Sequence, residues 1–290
     1  MDLLPERIEH LIHELTVLPW YDMYYEGIVT PLTISNYGAW LMIAVIVVAT
    51  MFVMVARHQS RRMALATESG NVTDLAPTNK FVSMIEMGVE FIRNMATDVI
   101  GPKDGPRFTA LLGTFFFLIL VSNFIGLIPG GKSIAGSIGG TAALALISWL
   151  AFVYVGFTKN GFIGYFKSLI PSGVRKMSLG GRIVLGGYLF LLEFLSTFLI
   201  RPLTLAVRLF ANIYAGHIVL GIFTAFTFLF LPLFEDRLTA SVGGLGVGLV
   251  SMLFLIIMYA FEIFVAFIQA YVFTILTAVY IQSSVHASEH

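Results

Sequence analysis

Arg208 stands inside a long apolar run, Arg201-Pro-Leu-Thr-Leu-Ala-Val-Arg208-Leu-Phe-Ala-Asn212-Ile-Tyr-Ala-Gly-His217. A guanidinium has a pKa above ~12, so it stays charged wherever it is placed. Near the middle of a bilayer it costs at least ~2.5–3.5 kcal/mol on insertion scales. A fixed cation kept at that depth points to charge handling: attracting an acid, repelling a proton, or both. Around it lie further polar groups in the same two apolar stretches: Glu193, Arg201, Thr204, Asn212, His217, Glu262 and Gln269.

Spacing sorts these residues. Thr204, Arg208 and Asn212 recur every four positions and share one helix face. Arg201 precedes Arg208 by seven and falls close to that face, and Glu262 and Gln269 are likewise seven apart. Folded as an antiparallel hairpin about residue 238, the two stretches place equidistant residues at equal depth. Arg208 lies 30 before the turn and Gln269 31 after it, while His217 lies 21 before and Glu262 24 after. A membrane interior pairs its polar groups, so 208/269 and 217/262 are the expected partners. His217 and Glu262 together form a titratable pair. Two polar strips on facing helices describe a water or ion path.

Plainer readings stand beside these. Arg201 can serve as an anchor held by carbonyls freed near Pro202. Thr204 and Asn212 can be helix–helix glue. Glu193 either meets water near the basic side or simply reaches the interface. His10 and His13 have no evident third ligand and read as surface residues. Gly243, Gly244, Gly246 and Gly248 read as close-packing positions, since no GK[ST] follows them to make a phosphate loop.

Composition dictates the elements that hold the strips. Hydrophobic residues make up 58% and charged ones 12%, and cysteine is absent, which excludes disulfides and thiol chemistry. The pattern predicts an all-α integral membrane protein in one membrane domain, 1–290, with about five crossings. Residues 1–35 read as an N-terminal interfacial segment without the layout of a cleavable signal peptide. A first span is expected over 36–57, and a polar loop with an amphipathic surface segment over 58–107. Spans two and three fall in 108–158. A lipid-surface connection and a long helical hairpin over 183–282 complete the chain. No polar turn separates Ile183 from Phe230, so that stretch is expected to be one long tilted helix, kinked at Pro202. Of 17 Lys and Arg, 12 lie in the loops after spans one and three. Those loops are therefore expected on the cytoplasmic or matrix side, with the N-terminus outside.

The Arg208 motif is similar to the signature of subunit a of F-type ATP synthases. Ser122-Asn-Phe-Ile-Gly-Leu-Ile-Pro129 and Ile268-Gln269-Ala-Tyr-Val-Phe-Thr-Ile-Leu-Thr-Ala-Val-Tyr280 carry the same resemblance, which runs over roughly residues 80–282. It implies proton translocation through two offset half-channels at the face of a rotating c ring, coupled to ATP synthesis or hydrolysis by the F1 sector. The implied partners are the c-subunit ring, b-type peripheral stalk subunits, the remainder of the F1Fo complex, the lipid bilayer and the transported H+. No cofactor, metal or nucleic acid is implied, and the subunit would bind no nucleotide itself. Arg208 matches the arginine that faces the ring carboxylates. Asn212, His217, Glu262 and Gln269 match positions of the outer half-channel, and Thr204 a small hydroxyl position near the arginine. Two departures stand out. In some bacterial members the acid and the histidine of the 217/262 pair are exchanged, and the family's upstream glutamate falls at Phe194, one position after Glu193. The implied location is a bacterial plasma membrane or a mitochondrial inner membrane. The rival readings are a stand-alone secondary transporter or ion channel, for which no internal repeat is found, and a membrane-embedded enzyme, for which no nucleophile–base motif is found.

Overall fold

A computed structural model describes residues 36–69, 79–128, 131–168, 179–230 and 242–285. The N-terminal segment, the basic stretch 169–178 and the hinge around Pro232 lie outside the described residues. Among the described residues the chain is helical throughout, and five helices are long and apolar enough to cross a membrane.

Helix α1 (Asn36–Ser69) contains the first candidate span and continues well beyond it. At 1.5 Å per residue its 34 residues run for about 50 Å, so its last turns leave a ~30 Å hydrocarbon core. The expected polar loop after residue 57 is thus helical at its start. Arg62, one of the basic residues at the exit of the span, forms an ion pair with Glu86 of α2 (Lys80–Ile100). That pair gives the emergent end of α1 a tertiary partner.

Helix α2 is the amphipathic segment expected from the charge pattern. Its start is capped by Asn79, whose side chain accepts from the Phe81 amide at 3.0 Å. Val82, Ile85, Ile92, Met95, Ala96 and Ile100 form its buried face, while Lys80, Glu90, Arg93 and Asp98 are exposed. It ends at Gly101, whose φ of 111° needs a residue without Cβ. Helix α3 (Gly105–Leu127) follows directly. A Cβ on Gly105 would lie 2.6 Å from the Ala96 carbonyl oxygen, so the tightness of this corner requires glycine.

Ser122 and Asn123, the first residues of the Ser122–Pro129 motif, have a structural task at the far end of α3. Ser122 Oγ accepts from the Ile134 amide at 2.8 Å, and Ser133 Oγ donates to Asn123 Oδ1 at 3.1 Å. These bonds seat a 3-10 turn, Ile134–Gly136, over the helix end. Gly126 leaves space for it, since a Cβ there would be 2.7 Å from Ser133 Cβ. Helix α4 (Ile138–Asn160) returns across the membrane and stops at Gly161, φ 69°. A short helix α5 (Phe162–Ser168) folds back on it. Tyr165 of α5 is 4% exposed, and burial pushes its phenol above the usual tyrosine range.

The remaining chain forms the hairpin. Helix α6 (Leu179–Leu195), a π turn (Ser196–Ile200) and α7 (Arg201–Phe230) join end to end. The apolar part of this run covers 47 residues, or about 70 Å at 1.5 Å per residue, so it must lie strongly tilted in a bilayer. Helix α8 (Val242–Val285) returns along it. The half of α8 nearest its C-terminus is buried through Ala266, Ala270, Phe273, Thr274, Thr277, Ala278 and Ile281. The small residues among them, Ala266, Ala270, Thr274, Thr277 and Ala278, let neighbouring backbones approach closely, and Thr277 shares a 2.9 Å hydrogen bond with Ser148 of α4. The other half shows lipid-type side chains such as Leu249, Leu253, Ile256 and Ile257 to the outside.

Gly156 tests this packing. A side chain there would overlap the Tyr165 ring, whereas Gly187 has open space around it. Gly156→Val should destabilise the folded protein by about 1–3 kcal/mol, the scale of overpacking. Gly187→Val should cost far less. Denaturant titration of the purified protein in micelles compares the two, and equal losses would contradict the packing described.

Candidate functional site

Helix α7 sorts its residues by azimuth. Leu205, Leu209, Ile213 and Gly216 are buried against the rest of the chain. Thr204 and Arg208 are turned by roughly a quarter-turn or more from that face and are exposed, and Asn212 sits at the margin. Thr204 satisfies its hydroxyl within its own helix, donating to Ile200 O at 2.9 Å and Arg201 O at 3.0 Å. A helix at membrane depth has no water to satisfy such a group, so this internal bond keeps the face quiet around the charge.

Arg208 therefore projects away from its own protein. Among the described residues it has no hydrogen bond and no ion pair with any carboxylate of this chain. Counting pointed to Gln269 as its partner, and the geometry differs. Gln269 Oε1 accepts from Asn212 Nδ2 at 3.4 Å, one helical turn further along α7. Sequence counting fixes depth along a hairpin but not the direction a side chain takes. Arg208 is exposed and faces out of the helix pair, while Asn212 faces into it.

The second expected pair also resolves at finer scale. Glu262 of α8 is 5% exposed and packs directly on Gly216. A Cβ at Gly216 would collide with the Glu262 carboxyl group, so glycine at this position is what admits the acid to the interface. His217 is the next residue and lies on the outer side of α7. Depth is shared as counted, but no hydrogen bond joins His217 to Glu262 among the described residues. Gln269 is equally buried at 5% exposure, and its Nε2 has no hydrogen-bond partner among the described residues. The seam between α7 and α8 thus holds Asn212, Gln269 and Glu262 in a line, with unused polar capacity at Gln269.

Glu193 and Arg201 form a separate site near the start of α7. Arg201 Nη2 donates to Glu193 Oε1 at 2.8 Å, and the guanidinium carbon lies 5.2 Å from the centre of the Tyr280 ring on α8. The anchor at Arg201 is therefore a carboxylate and an aromatic face, in place of the freed carbonyls expected near Pro202. One freed carbonyl does exist, and an indole takes it: Trp149 Nε1 donates to Thr197 O at 3.2 Å. Gly216, Trp149 and Tyr280 were not among the residues singled out from sequence. Gly216 could have been found, since it precedes His217 and shares the hairpin register of Glu262.

A bundle of apolar helices with one long hairpin, a buried polar seam and an outward arginine unpaired among the described residues defines an integral membrane protein. The family model for the ATP synthase A chain matches residues 38–282. ATP synthase subunit a of Brucella ovis is 36% identical over 277 residues, covering 95% of this chain and 97% of the relative. The proteins of the same name from Brucella canis and Brucella melitensis biotype 2 show the same identity and coverage. The chain belongs to the ATP synthase A chain family.

The Gly216–Glu262 contact can be tested without any assay of transport. Gly216→Ala should cost about 1–3 kcal/mol of stability from overpacking. In a Glu262→Ala background the same change should cost almost nothing, because the colliding group is gone. A denaturation-based double-mutant cycle reads the coupling, and identical costs in both backgrounds would show that the two residues do not meet.

Proposed function

We propose that this chain is the proton-translocating subunit a of an F-type ATP synthase and works as the stationary face of a rotating c ring. One observation carries the reading: Arg208 is an outward-facing cation within a long apolar helix, with no acid among the described residues to neutralise it. A charge left in that state implies a carboxylate arriving from outside the chain.

The mechanism follows from elementary electrostatics. A carboxylate on a ring helix surrounded by lipid is favoured in its neutral, protonated form. Opposite Arg208 the anion is favoured instead, and the proton is released toward one half-channel. The site then reloads from the other half-channel before it re-enters lipid. The guanidinium repels protons and keeps the two paths from joining. A neutral ring site crosses lipid cheaply and a charged one does not, so exchange on the two sides of Arg208 gives rotation a direction. Each elementary charge moved through 100 mV contributes about 2.3 kcal/mol. Several transfers must therefore be summed by rotation for each ATP made.

Within this reading the Asn212–Gln269–Glu262 seam with His217 lines the outer half-channel. Glu193 and Thr204 belong to the inner one. The π turn at Ser196–Ile200 supports that role for Glu193, because a π turn takes in one extra residue. It offsets the one-position displacement of this glutamate from the family's pattern. The protein would sit in the inner membrane of a bacterium, beside b-type stalk subunits and under the F1 sector, a setting supported by its Brucella relatives.

The absence of native cysteine allows a direct test of the stator face. A cysteine at Ala211, exposed on the Arg208 side of α7, should form a disulfide with a cysteine placed on the outer helix of the c subunit. A cysteine at the buried Leu209 should not. Cross-linking at Leu209 but not Ala211 would put the ring on the wrong face. A second test concerns the acid–base pair. His217→Glu combined with Glu262→His should retain more proton-driven ATP synthesis than His217→Glu alone, and no gain in the double variant would mean that the two do not act together.

A further inference from the structure

Helix α7 carries two arginines seven residues apart, and their electrical surroundings are opposite. Arg208 has no partner of its own chain among the described residues. Arg201 is held by the 2.8 Å ion pair with Glu193 and by the Tyr280 ring at 5.2 Å. The Arg201 side chain is 19% exposed, so its charge is largely enclosed by groups that compensate it.

The backbone is shaped to make this contact. Eight residues of regular α-helix advance about 800° around the axis, which leaves Glu193 and Arg201 roughly 80° out of register. Between them the π turn carries an i→i+5 bond from the Arg201 amide to Ser196 O. A wider turn rotates less per residue and returns the two side chains to one face. Pro202 follows and has no N–H to offer the carbonyls of that turn, and Trp149 of α4 satisfies the one at Thr197. On the other side, Tyr280 packs on Phe152 of α4 with ring centres 5.5 Å apart. The ion pair therefore sits where α4, α6, α7 and α8 converge.

We infer that Arg201 is a positioning residue: it clasps Glu193 and Tyr280 to fix the inner half of the tilted helix against α8, leaving Arg208 the single unneutralised arginine of α7. This rests on the stator reading above. Released from the clasp, Arg201 would present a second cation about 10 Å along the helix from the first, given 1.5 Å per residue. A passing carboxylate would then meet two competing counter-charges in place of one.

The test uses the intact ATP synthase in sealed vesicles, with ATP synthesis driven by an imposed proton gradient. Glu193→Arg and Arg201→Glu each place like charges together, which repel, and should lower the rate roughly tenfold. The exchanged pair, Glu193→Arg with Arg201→Glu, keeps one acid and one cation in contact, with the acid now at position 201 beside the same inner path, and should exceed both single variants by at least about threefold. A structural loss would not be repaired by exchanging the signs. Because the single variants can fail to assemble, Tyr280→Phe and Tyr280→Leu form a second comparison: the ring face is kept in the first and lost in the second, so synthesis should fall only in the second. The clasp is overturned if the exchanged pair is no better than the weaker single variant, or if Tyr280→Leu works as well as Tyr280→Phe. Arg208 is intact throughout, so those results leave the stator reading standing, whereas inactivity of the unaltered enzyme would strike at that reading itself.

Discussion

A guanidinium at membrane depth must be compensated, and the chain solves that problem in two ways on one helix. Arg201 is compensated internally, by Glu193 at 2.8 Å and by the face of Tyr280. Arg208 is not compensated by its own chain among the described residues. Desolvation makes an uncompensated charge expensive, so the arrangement makes physical sense when the missing carboxylate belongs to a neighbour. The long tilted helix, the apolar bundle behind it and the buried contacts of α8 hold that one side chain in position.

The supporting structure follows the rule that backbone and hydroxyl groups at membrane depth must find partners within the protein. Thr204, Thr224, Thr227, Thr274 and Thr277 donate to carbonyls of their own helices. Where the helix departs from α geometry before Pro202, an indole from α4 takes the Thr197 carbonyl. Where a carboxyl group must enter the α7–α8 interface, glycine replaces a side chain at Gly216. The unpartnered Nε2 of Gln269 is an exception to this rule, and it lies in the seam proposed to carry water and protons.

Much of this was legible in the sequence because membrane helices announce themselves by length and apolarity. The single long helix through Pro202 followed from the lack of any polar turn before Phe230, and α2 followed from its periodic charges. The end of α1 was not legible. Its polar residues resemble a loop, and the tertiary pair of Arg62 with Glu86, which holds the continued helix, cannot be read from them. Hairpin counting brought Glu262 to the Gly216–His217 stretch of α7 and placed Gln269 within one helical turn of the residue it meets, because rise per residue is uniform. It could not assign Gln269 to Asn212 in place of Arg208, because direction around a helix depends on crossing geometry that counting ignores. The π turn was hidden for a similar reason: Pro202 marks a disturbance without stating its form. The two halves of the Arg201 clasp are eight residues apart on one side and on another helix on the other, so no local pattern shows them.

The measurement closest to the centre of the account is proton-driven ATP synthesis by the reconstituted complex carrying Arg208→Ala, with assembly verified in the same preparation. The account predicts a fully assembled enzyme that makes no ATP above background under an imposed proton gradient. Synthesis at an appreciable fraction of the unaltered rate would show that the unpaired charge on α7 is not what couples the passing carboxylate to the membrane, and would contradict the account.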